Sequence, residues 1–533
     1  MNTILKNKIY LYLTEFFAGM SVMAAELGAS RLLAPYFSSS QIVWTIIIGT
    51  IMIAMALGNI YGGRAADKNP DPDRLYIRII IAAVWLAAIP VLGKYIIVGI
   101  SGLMIFAVNS NLLIWAGFVT CMVIFVYPLF LLGTVTPSLV KYTVDSLDHS
   151  GRTVGLLNAS NTIGSIIGTF VPTFVTIPAV GTSATFLIFA GILLLLAAIY
   201  FISAKRKLIP VVIAVVVTVV CCIFGATSSF AFWQSDIEYE GESVYNYLQV
   251  TEDDEQVILS TNVLFGVQSM LEKSGGLTGM YYDYAMAAPY MAGVHEQDNL
   301  EVLILGMGTG TYATQCSRYF DNLHFEGVEI DEKIIALSRQ YFELPESVEV
   351  TLYDGRAFLN AIDKTYDIIM VDAYQDITIP FQMSTVEFFT LVKEHLNTGG
   401  VMVMNMNMRA GGDEGINAYL SDTVASVFGE VYTVDVARSS NVELFAAESG
   451  SEILKRMTEN VGVEKNVELN ALMTRILDNI SAYQSGGKIM TDDRAPVELL
   501  GIRAIDDLIF DQVSYYKSIF KRFGFKGLIN SLS

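Results

Sequence analysis

The chain has 533 residues, of which 53% are hydrophobic, and its mean hydropathy of +0.49 is unusual for a soluble enzyme. Its net charge of −20 is unevenly distributed. Residues 1–230 carry 13 basic and 7 acidic side chains, whereas residues 231–533 carry 20 basic and 46 acidic ones. This division predicts a membrane-embedded domain followed by a water-soluble one. The acidity of the second half argues against nucleic-acid binding, which needs clustered lysine and arginine. The four cysteines form neither a disulfide framework nor a zinc pattern.

The first half of the chain contains apolar segments long enough to cross a bilayer, which takes about 20 residues. We predict a transmembrane helical domain over residues 1–230 with about seven spans. An eighth span over residues 95–108 stays open. The seven segments are residues 9–30, 42–62, 76–93, 112–134, 155–177, 181–203 and 209–228.

Basic residues in the predicted loops fall mainly on one side of the membrane if there are seven spans. The positive-inside rule assigns that side to the cytoplasm, which leaves the soluble domain outside the cell. Eight spans, or a last segment that does not cross the membrane, would return it to the cytoplasm. The sequence therefore predicts a multi-pass protein of the cell membrane and leaves the side of the soluble domain open.

The soluble half begins with alternating apolar and polar residues over 236–271, which predict a small antiparallel sheet. A helical segment over 280–289 follows, so we assign residues 231–290 to a small β subdomain plus helix. Strands and helices then alternate, which predicts an α/β doubly wound, Rossmann-like domain over 291–510. The strands are expected near 301–306, 323–329, 347–352, 366–372 and 400–405, and the helices at 311–319, 331–342, 355–362 and 384–396.

Ligand-binding residue types follow four consecutive predicted strands. They are Gly306, Gly308 and Gly310 after the first strand, Glu329 after the second, Asp354 and Gly355 after the third, and Asp372 after the fourth. Ligands of such sheets bind beyond the carboxyl ends of the strands. Glycines allow close approach of the backbone, and a carboxylate after the second strand can accept both ribose hydroxyls. Without a G-x-G-x-x-G turn for a pyrophosphate, the pattern favours an adenosine-sulfonium cofactor over a dinucleotide.

The last 23 residues, 511–533, are predicted to be a basic amphipathic tail. Such a helix can lie on an anionic lipid surface, and a plain terminal helix is the equally weighted alternative.

The soluble half, with its strand-end residues, resembles a known family. Residues 236–410 are similar to spermidine synthase, a polyamine aminopropyltransferase with a class I methyltransferase-like fold. The whole chain resembles the membrane-bound, multi-pass (fused) branch of that family. This resemblance includes the segments Ala25–Phe37, Gly58–Asp67 and Thr491–Glu498.

The resemblance implies roles for most of the candidate site. The implied cofactor-binding residues are Asn246, Gln268, Gly306, Gly308, Thr309, Gly310, Glu329, Asp354, Gly355 and Pro380. Thr309 stands where the family has an aspartate that faces the aminopropyl ammonium. Asp372 matches the proton-accepting aspartate, and a carboxylate near the attacking amine suits that role.

The polyamine is expected to lie among aromatic and acidic side chains. Tyrosines can line an alkyl channel and hold ammonium groups by cation–π contact, and Asp376 can anchor the distal ammonium. The candidate substrate-binding residues are Tyr245, Tyr282, Asp283, Tyr374 and Asp376.

The resemblance implies transfer of the aminopropyl group of decarboxylated S-adenosylmethionine to putrescine or a similar amine, with release of methylthioadenosine and without a metal. Two alternatives stay open: an S-adenosylmethionine-dependent methyltransferase, and a non-catalytic membrane sensor or transporter that binds a polyamine or nucleoside. The expected partners are a small polyamine and the lipid bilayer, with a homodimer left open and no nucleic acid.

Overall fold

A computed structural model describes residues 7–108, 110–143, 150–205, 208–225, 229–234, 236–263, 267–373, 379–407 and 414–532. The chain divides into two compact units. The first comprises Met1–Ser235 with Asn262–Leu264, and the second comprises Asp236–Thr261 with Phe265–Ser533.

The first unit is built from helices. These are α1 (Lys8–Phe37), α2 (Gln41–Lys68), α3 (Pro72–Ala107), α4 (Leu112–Ile124), α5 (Val126–Gly133), α6 (Val135–Thr143), α7 (Ser150–Val171), α8 (Ile177–Ala204) and α9 (Leu208–Gly225). Local sequence explains two of the starts. The Ser40 side chain accepts from the amide of Val43 to cap α2, and α3 begins with Asp71 as its cap and a proline in its first turn.

Among the described residues, five helices are long and apolar enough to cross a membrane, or six if the pair α4 and α5–α6, bent by 48°, is one span. The segment proposed as an eighth span, 95–108, is not a separate helix, because α3 runs without a break through residue 107. The apolar stretch Gly151–Ala204 counts as one helix of 54 residues. Its backbone leaves the helical conformation at Gly181, the first residue of the predicted segment 181–203. The count of seven spans therefore stays a prediction.

Small residues bring α1 and α7 into close contact. A Cβ added to Gly164 would lie 1.9 Å from the carbonyl oxygen of Phe16, and one added to Gly168 would lie 2.1 Å from that of Met20. Neither position can therefore carry a side chain at this helix separation, which is the use that membrane helices make of glycine.

A buried glutamate links three helices of this bundle. Oε1 of Glu15 on α1 accepts hydrogen bonds from Thr136 on α6 at 2.6 Å and from Asn161 on α7 at 2.8 Å. In a lipid bilayer the hydrophobic effect does not drive helices together, and hydrogen bonds of this kind stabilise their association.

The second unit begins with a four-stranded antiparallel sheet in the order β1-β2-β3-β4, which confirms the small sheet expected from the alternating pattern. Its strands are β1 (Ile237–Glu242), β2 (Tyr247–Glu252), β3 (Gln256–Ser260) and β4 (Ser269–Glu272). The predicted helical segment forms two short helices, α10 (Tyr281–Ala285) and α11 (Ala287–Ala292).

An eight-stranded sheet with the order β12-β10-β11-β9-β8-β5-β6-β7 follows. Its strands are β5 (Leu300–Leu305), β6 (Leu323–Glu329), β7 (Glu349–Leu352), β8 (Tyr366–Val371), β9 (Leu396–Met406), β10 (Glu430–Asp435), β11 (Val442–Ala447) and β12 (Ser481–Ala482). The helices that connect and flank them are α12 (Thr311–Tyr319), α13 (Glu332–Tyr341), α14 (Gly355–Ala361), α15 (Val386–Glu394), α16 (Ile416–Val427), α17 (Ile453–Val461), α18 (Val467–Asn479) and α19 (Val497–Leu532).

The doubly wound fold class is confirmed, and the sheet is mixed rather than wholly parallel. Strands β7, β6, β5, β8 and β9 are parallel, whereas β11 runs antiparallel to both β9 and β10. The central strands are buried on both faces, as in Val302, Leu303 and Ile304 of β5, and such continuous burial is typical of parallel strands covered by helices. The chain moves from β5 outward to β6 and β7 and then returns to β8, so the strand order reverses between β5 and β8.

The residues predicted to form a separate tail continue a helix. Helix α19 includes residues 511–532, so no break in secondary structure occurs at 510/511. The boundaries between the predicted domains stay predictions.

We expect Gly164→Ala and Gly168→Ala to force α1 away from α7 and to lower the free energy of unfolding by about 1–3 kcal/mol each. Gly155→Ala is the matched control, because it lies on the same helix with open space around its added Cβ. Thermal unfolding of the full-length protein in detergent measures the effect. An equal loss in Gly155→Ala would show that glycine packing against α1 is not the cause.

Candidate active site

A cavity of about 300 Å³ lies in the second unit, at the carboxyl ends of the parallel strands. Both sides of the reversal between β5 and β8 contribute to it, as expected for sheets of this kind. The predicted residues that line it are Tyr245, Asn246, Gln268, Tyr282, Gly306, Gly308, Glu329, Asp354, Gly355, Asp372 and Pro380.

The glycine corner after β5 brings two strand ends together. Gly306 has a positive φ of 77°, and a Cβ there would lie 2.4 Å from Cα of Ala373. Glycine is therefore required both by the backbone conformation and by the close approach of the loop after β8. As a result, the corner and Asp372 share one wall of the cavity.

Glu329 at the end of β6 shapes the same corner. Its Oε2 accepts from the amide of Gly308 at 2.8 Å, and its Oε1 accepts from the amide of Asp331 at 3.0 Å. Burial raises the pKa of Glu329, while these amide hydrogen bonds lower it. The two amides thus fix the orientation of the carboxylate in the cavity wall.

Two further predicted residues are tied into the wall by local structure. Asp354 caps α14 by accepting from the amide of Ala357 at 2.8 Å, so its second oxygen is available to a ligand. Asn246 donates to Oδ2 of Asp331 at 3.1 Å, which connects the small sheet to the strand end that carries Glu329.

Asp372 is held by two donors. The Tyr281 hydroxyl donates to Oδ2 at 2.5 Å, and Nδ2 of Asn405 donates to Oδ1 at 2.9 Å. Burial raises the pKa of Asp372 to about 7, although both hydrogen bonds lower it and the charge of Glu329 raises it further. A carboxylate with this pKa can accept a proton near neutral pH.

Three predicted residues lie outside the cavity lining. The Thr309 side chain is fully buried and hydrogen bonded to the Thr311 hydroxyl at 2.9 Å. Gly310 begins α12, and an added Cβ there would meet Leu344. Asp283 is buried and accepts from Gly279, Thr278 and Gln315. Through these contacts Asp283 connects the turn before α10 to helix α12, which is a structural role.

The tyrosines differ in their surroundings. Tyr245 is 40% exposed at the cavity mouth, whereas Tyr282 is buried and its hydroxyl accepts from the amide of Met270 at 2.8 Å. Tyr374 and Asp376, two further predicted substrate residues, lie outside the described residues.

Three residues in or beside the cavity wall were not among the candidates: Tyr281 lines the cavity, Asn405 contacts Asp372, and Glu443 pairs with Asn405. Tyr281 adjoins the predicted Tyr282. Asn405 is the last residue but one of the fifth parallel strand, so the strand-end argument extended by one strand would have found it. Glu443 is the second residue of an antiparallel strand, and no argument from the carboxyl ends of strands reaches it. Within the described parts of the chain, no group of three or more histidine, cysteine or acidic side chains could hold a metal ion.

Comparisons with known proteins identify the family. Residues 283–433 match the family model described as the spermine/spermidine synthase domain. A protein of Bifidobacterium longum named "Probable polyamine aminopropyl transferase" is 50% identical over 333 residues, which cover 58% of this chain and 74% of that protein. The chain belongs to the polyamine aminopropyltransferase family.

More distant aminopropyltransferases match as well. One from Vibrio vulnificus is 25% identical over 51% of this chain and 94% of its own length. The crystal structure of a probable spermidine synthase from Corynebacterium glutamicum matches with 19% identity and a TM-score of 0.37, covering 48% of this chain and 97% of that one. The region that matches the aminopropyltransferase family model contains Glu329, Asp354 and Asp372, and Glu443 lies beyond it.

We expect Gly306→Ala to weaken binding of methylthioadenosine at least about tenfold, because the added Cβ collides with the backbone at Ala373 in addition to the strain of a positive φ. Gly275→Ala is the matched control, since it has the same φ of 77° but open space around the Cβ. Calorimetric titration measures the affinity. If both variants bind equally well, the close approach at Gly306 does not shape the site.

Proposed function

We propose that the chain transfers the aminopropyl group of decarboxylated S-adenosylmethionine to putrescine or a similar amine. The observation that carries this proposal is Asp372. This cavity-lining carboxylate has a pKa of about 7 and lies across the β5–β8 reversal from the nucleoside corner. Membership in the aminopropyltransferase family supports the same reaction.

The donor would lie along the glycine corner. Glu329 would accept the ribose hydroxyls, Asp354 the adenine amino group, and Asn246 and Gln268 would contact the thioadenosine. Gly308 and Pro380 supply backbone and ring surface to the same cavity. The sulfonium would then face Asp372.

The lining favours the decarboxylated donor over intact S-adenosylmethionine. Among the described residues that line the cavity there is no lysine, arginine or histidine. The carboxylate of intact S-adenosylmethionine would therefore enter a site with several acidic groups and no cationic partner in that part of the chain, which is unfavourable. The decarboxylated donor carries only positive charge at neutral pH and suits the same surroundings.

The chemical step is a displacement at carbon. A neutral amine nitrogen of the acceptor attacks the methylene next to the sulfonium, and a new C–N bond forms as the C–S bond breaks. The electron pair of the C–S bond remains on sulfur, so methylthioadenosine leaves as a neutral thioether. Asp372 accepts the proton that the attacking nitrogen loses.

The acceptor would enter past Tyr245 at the cavity mouth and reach the buried Tyr282. Both tyrosines offer aromatic faces to the methylene chain and to ammonium groups, and Tyr374 and Asp376 stay predicted substrate-binding residues. We do not assign Asp283 to the acceptor site, because both of its carboxylate oxygens already accept hydrogen bonds, from the turn before α10 and from Gln315.

We further propose that the apolar helices of the first unit span the cell membrane as a multi-pass domain. The lipid bilayer is then a partner, and a homodimer stays open. The length and composition of the five or six apolar helices support the membrane assignment.

The reaction itself is tested with the full-length protein in membranes. Incubation with putrescine and decarboxylated S-adenosylmethionine should yield equal amounts of spermidine and methylthioadenosine. Replacement of the donor by intact S-adenosylmethionine should yield neither. A methylated product, or binding of both ligands without turnover, would contradict the proposal.

We expect Asp372→Asn to lower kcat/KM by about 10²- to 10⁴-fold, the usual contribution of a positioned base. Only the ionised carboxylate accepts a proton, so the wild-type rate should rise with pH up to the Asp372 pKa of about 7 and then level off. That step should disappear in the variant. The exposed Asp321→Asn is the control, and an unchanged pH profile in Asp372→Asn would exclude Asp372 as the base.

We expect Tyr281→Phe to move the pH profile to higher pH. The Tyr281 hydroxyl stabilises the ionised form of Asp372, so its removal raises the pKa of Asp372 and should lower kcat/KM at pH 7 by about tenfold. The neighbouring Tyr282→Phe removes a hydroxyl that contacts the Met270 amide instead, so it should leave the midpoint in place. A shift of equal size in both variants would indicate a general disturbance of α10.

A further inference from the structure

Glu443 is the second residue of β11 and pairs with Asn405 of β9. Because β11 is antiparallel to β9, its amino end lies at the same sheet edge as the carboxyl ends of the parallel strands. Glu443 therefore lies at the edge that carries the cavity. Directly opposite residues of an antiparallel pair point to the same face, so Glu443 shares the face of Asn405, which contacts Asp372.

The Glu443 side chain is fully buried. Neither carboxylate oxygen has a hydrogen-bond partner among the described residues. An ionised carboxylate in such surroundings is very unfavourable unless a cation compensates it. Asp283 shows the contrast within the same unit, because it is equally buried but accepts from three donors.

Two tyrosines that line the cavity, Tyr281 and Tyr312, interact with the charge of Glu443. Burial is the main cause of the high pKa of each phenol, and the charge of Glu443 adds to it in both. Glu443 is thus within electrostatic reach of this wall, and helix α10, which carries Tyr281, packs against its strand β11.

We propose that Glu443 is the counter-ion of the ammonium group at the far end of the acceptor amine, held in the cavity against the Tyr281–Tyr312 wall. The proposal rests on the function proposed above and names the acceptor as an amine with at least two cationic nitrogens. The ammonium would contact the two ring faces by cation–π interaction, and the Glu443 carboxylate would supply the opposite charge.

The sheet order assigns Glu443 to the acceptor rather than to the donor. Strand β11 is two positions from β8, which carries Asp372, and four positions from β6, which carries Glu329. With about 4.8 Å between neighbouring strands, Glu443 is closer to the attacking nitrogen than to the ribose. The attacking end of the amine would lie at Asp372, and its other end would reach toward β11.

The direction of the Glu443 pKa shift agrees with this assignment. Burial, followed by the charge of Asp372, raises the pKa of Glu443 well above its ordinary value. The titratable groups that face it are Asp372, Tyr281 and Tyr312. Both causes favour the neutral form of Glu443, and an ammonium group bound nearby would favour its carboxylate form instead.

The test compares putrescine with n-butylamine, which has the same four-carbon chain but no second ammonium. In the full-length protein, Glu443→Gln should lower kcat/KM for putrescine about 10- to 100-fold, mainly through KM, as expected for loss of a charge-assisted contact. The same substitution should change kcat/KM for butylamine by less than about twofold, because that amine makes no contact that depends on the Glu443 charge. Glu448→Gln is the matched control, since it lies just beyond the same strand with a side chain that is 65% exposed.

Three results would overturn the assignment. Glu443→Gln could affect neither amine, or it could affect both equally, as a structural residue would. It could also weaken the decarboxylated donor but not methylthioadenosine, which would move Glu443 to the donor's ammonium. Methylthioadenosine affinity reports an intact fold, and Glu443→Met is the second variant if Glu443→Gln does not fold. Failure of both to fold would make Glu443 structural.

Failure of the proposed function can be distinguished from failure of the Glu443 assignment. If the wild-type protein yields no product from any amine, calorimetric titration with putrescine decides about Glu443. Binding by the wild type that is lost in Glu443→Gln and kept in Glu448→Gln supports the subsite without the reaction. Equal binding by all three proteins, or none, overturns it.

Discussion

The site depends on a carboxylate removed from water. Asp372 is buried at the point where the strand order reverses, and burial alone disfavours its charge. Hydrogen bonds from Tyr281 and Asn405 keep ionisation within reach of neutral pH. The two donors come from different elements, α10 and β9. The pKa of Asp372 therefore depends on the correct packing of this helix and this strand around the loop after β8.

The same reversal explains why nucleoside-binding and proton-accepting residues meet. Gly306 approaches the backbone at Ala373 so closely that no side chain fits between them. That contact sets the separation between the corner after β5 and the loop after β8. Glu329 then fixes the glycine loop through the amide of Gly308. The cavity is therefore acidic on both sides of the reversal, a charge distribution that suits a sulfonium donor and an amine acceptor.

The two buried acids near α10 show how environment separates structure from function. Asp283 has its oxygens occupied by Gly279, Thr278 and Gln315, and it stabilises a turn. Glu443 has the same burial and no partner among the described residues. The family resemblance made Asp283 a candidate and did not point to Glu443. The difference lies in hydrogen-bond partners that come from distant parts of the chain.

Periodicity and composition by themselves determined the division into an apolar and an acidic half, the small antiparallel sheet, and the alternating strands and helices. They also located Glu329, Asp354 and Asp372, because local sequence sets where a strand ends and parallel strands end at one edge. The tertiary structure decided what depends on long-range pairing. The antiparallel direction of β11 brings Glu443 to the site, and packing turns Thr309 toward Thr311 and away from the cavity. Strand direction and side-chain neighbours are set by contacts between residues far apart in the chain, and no local pattern encodes them.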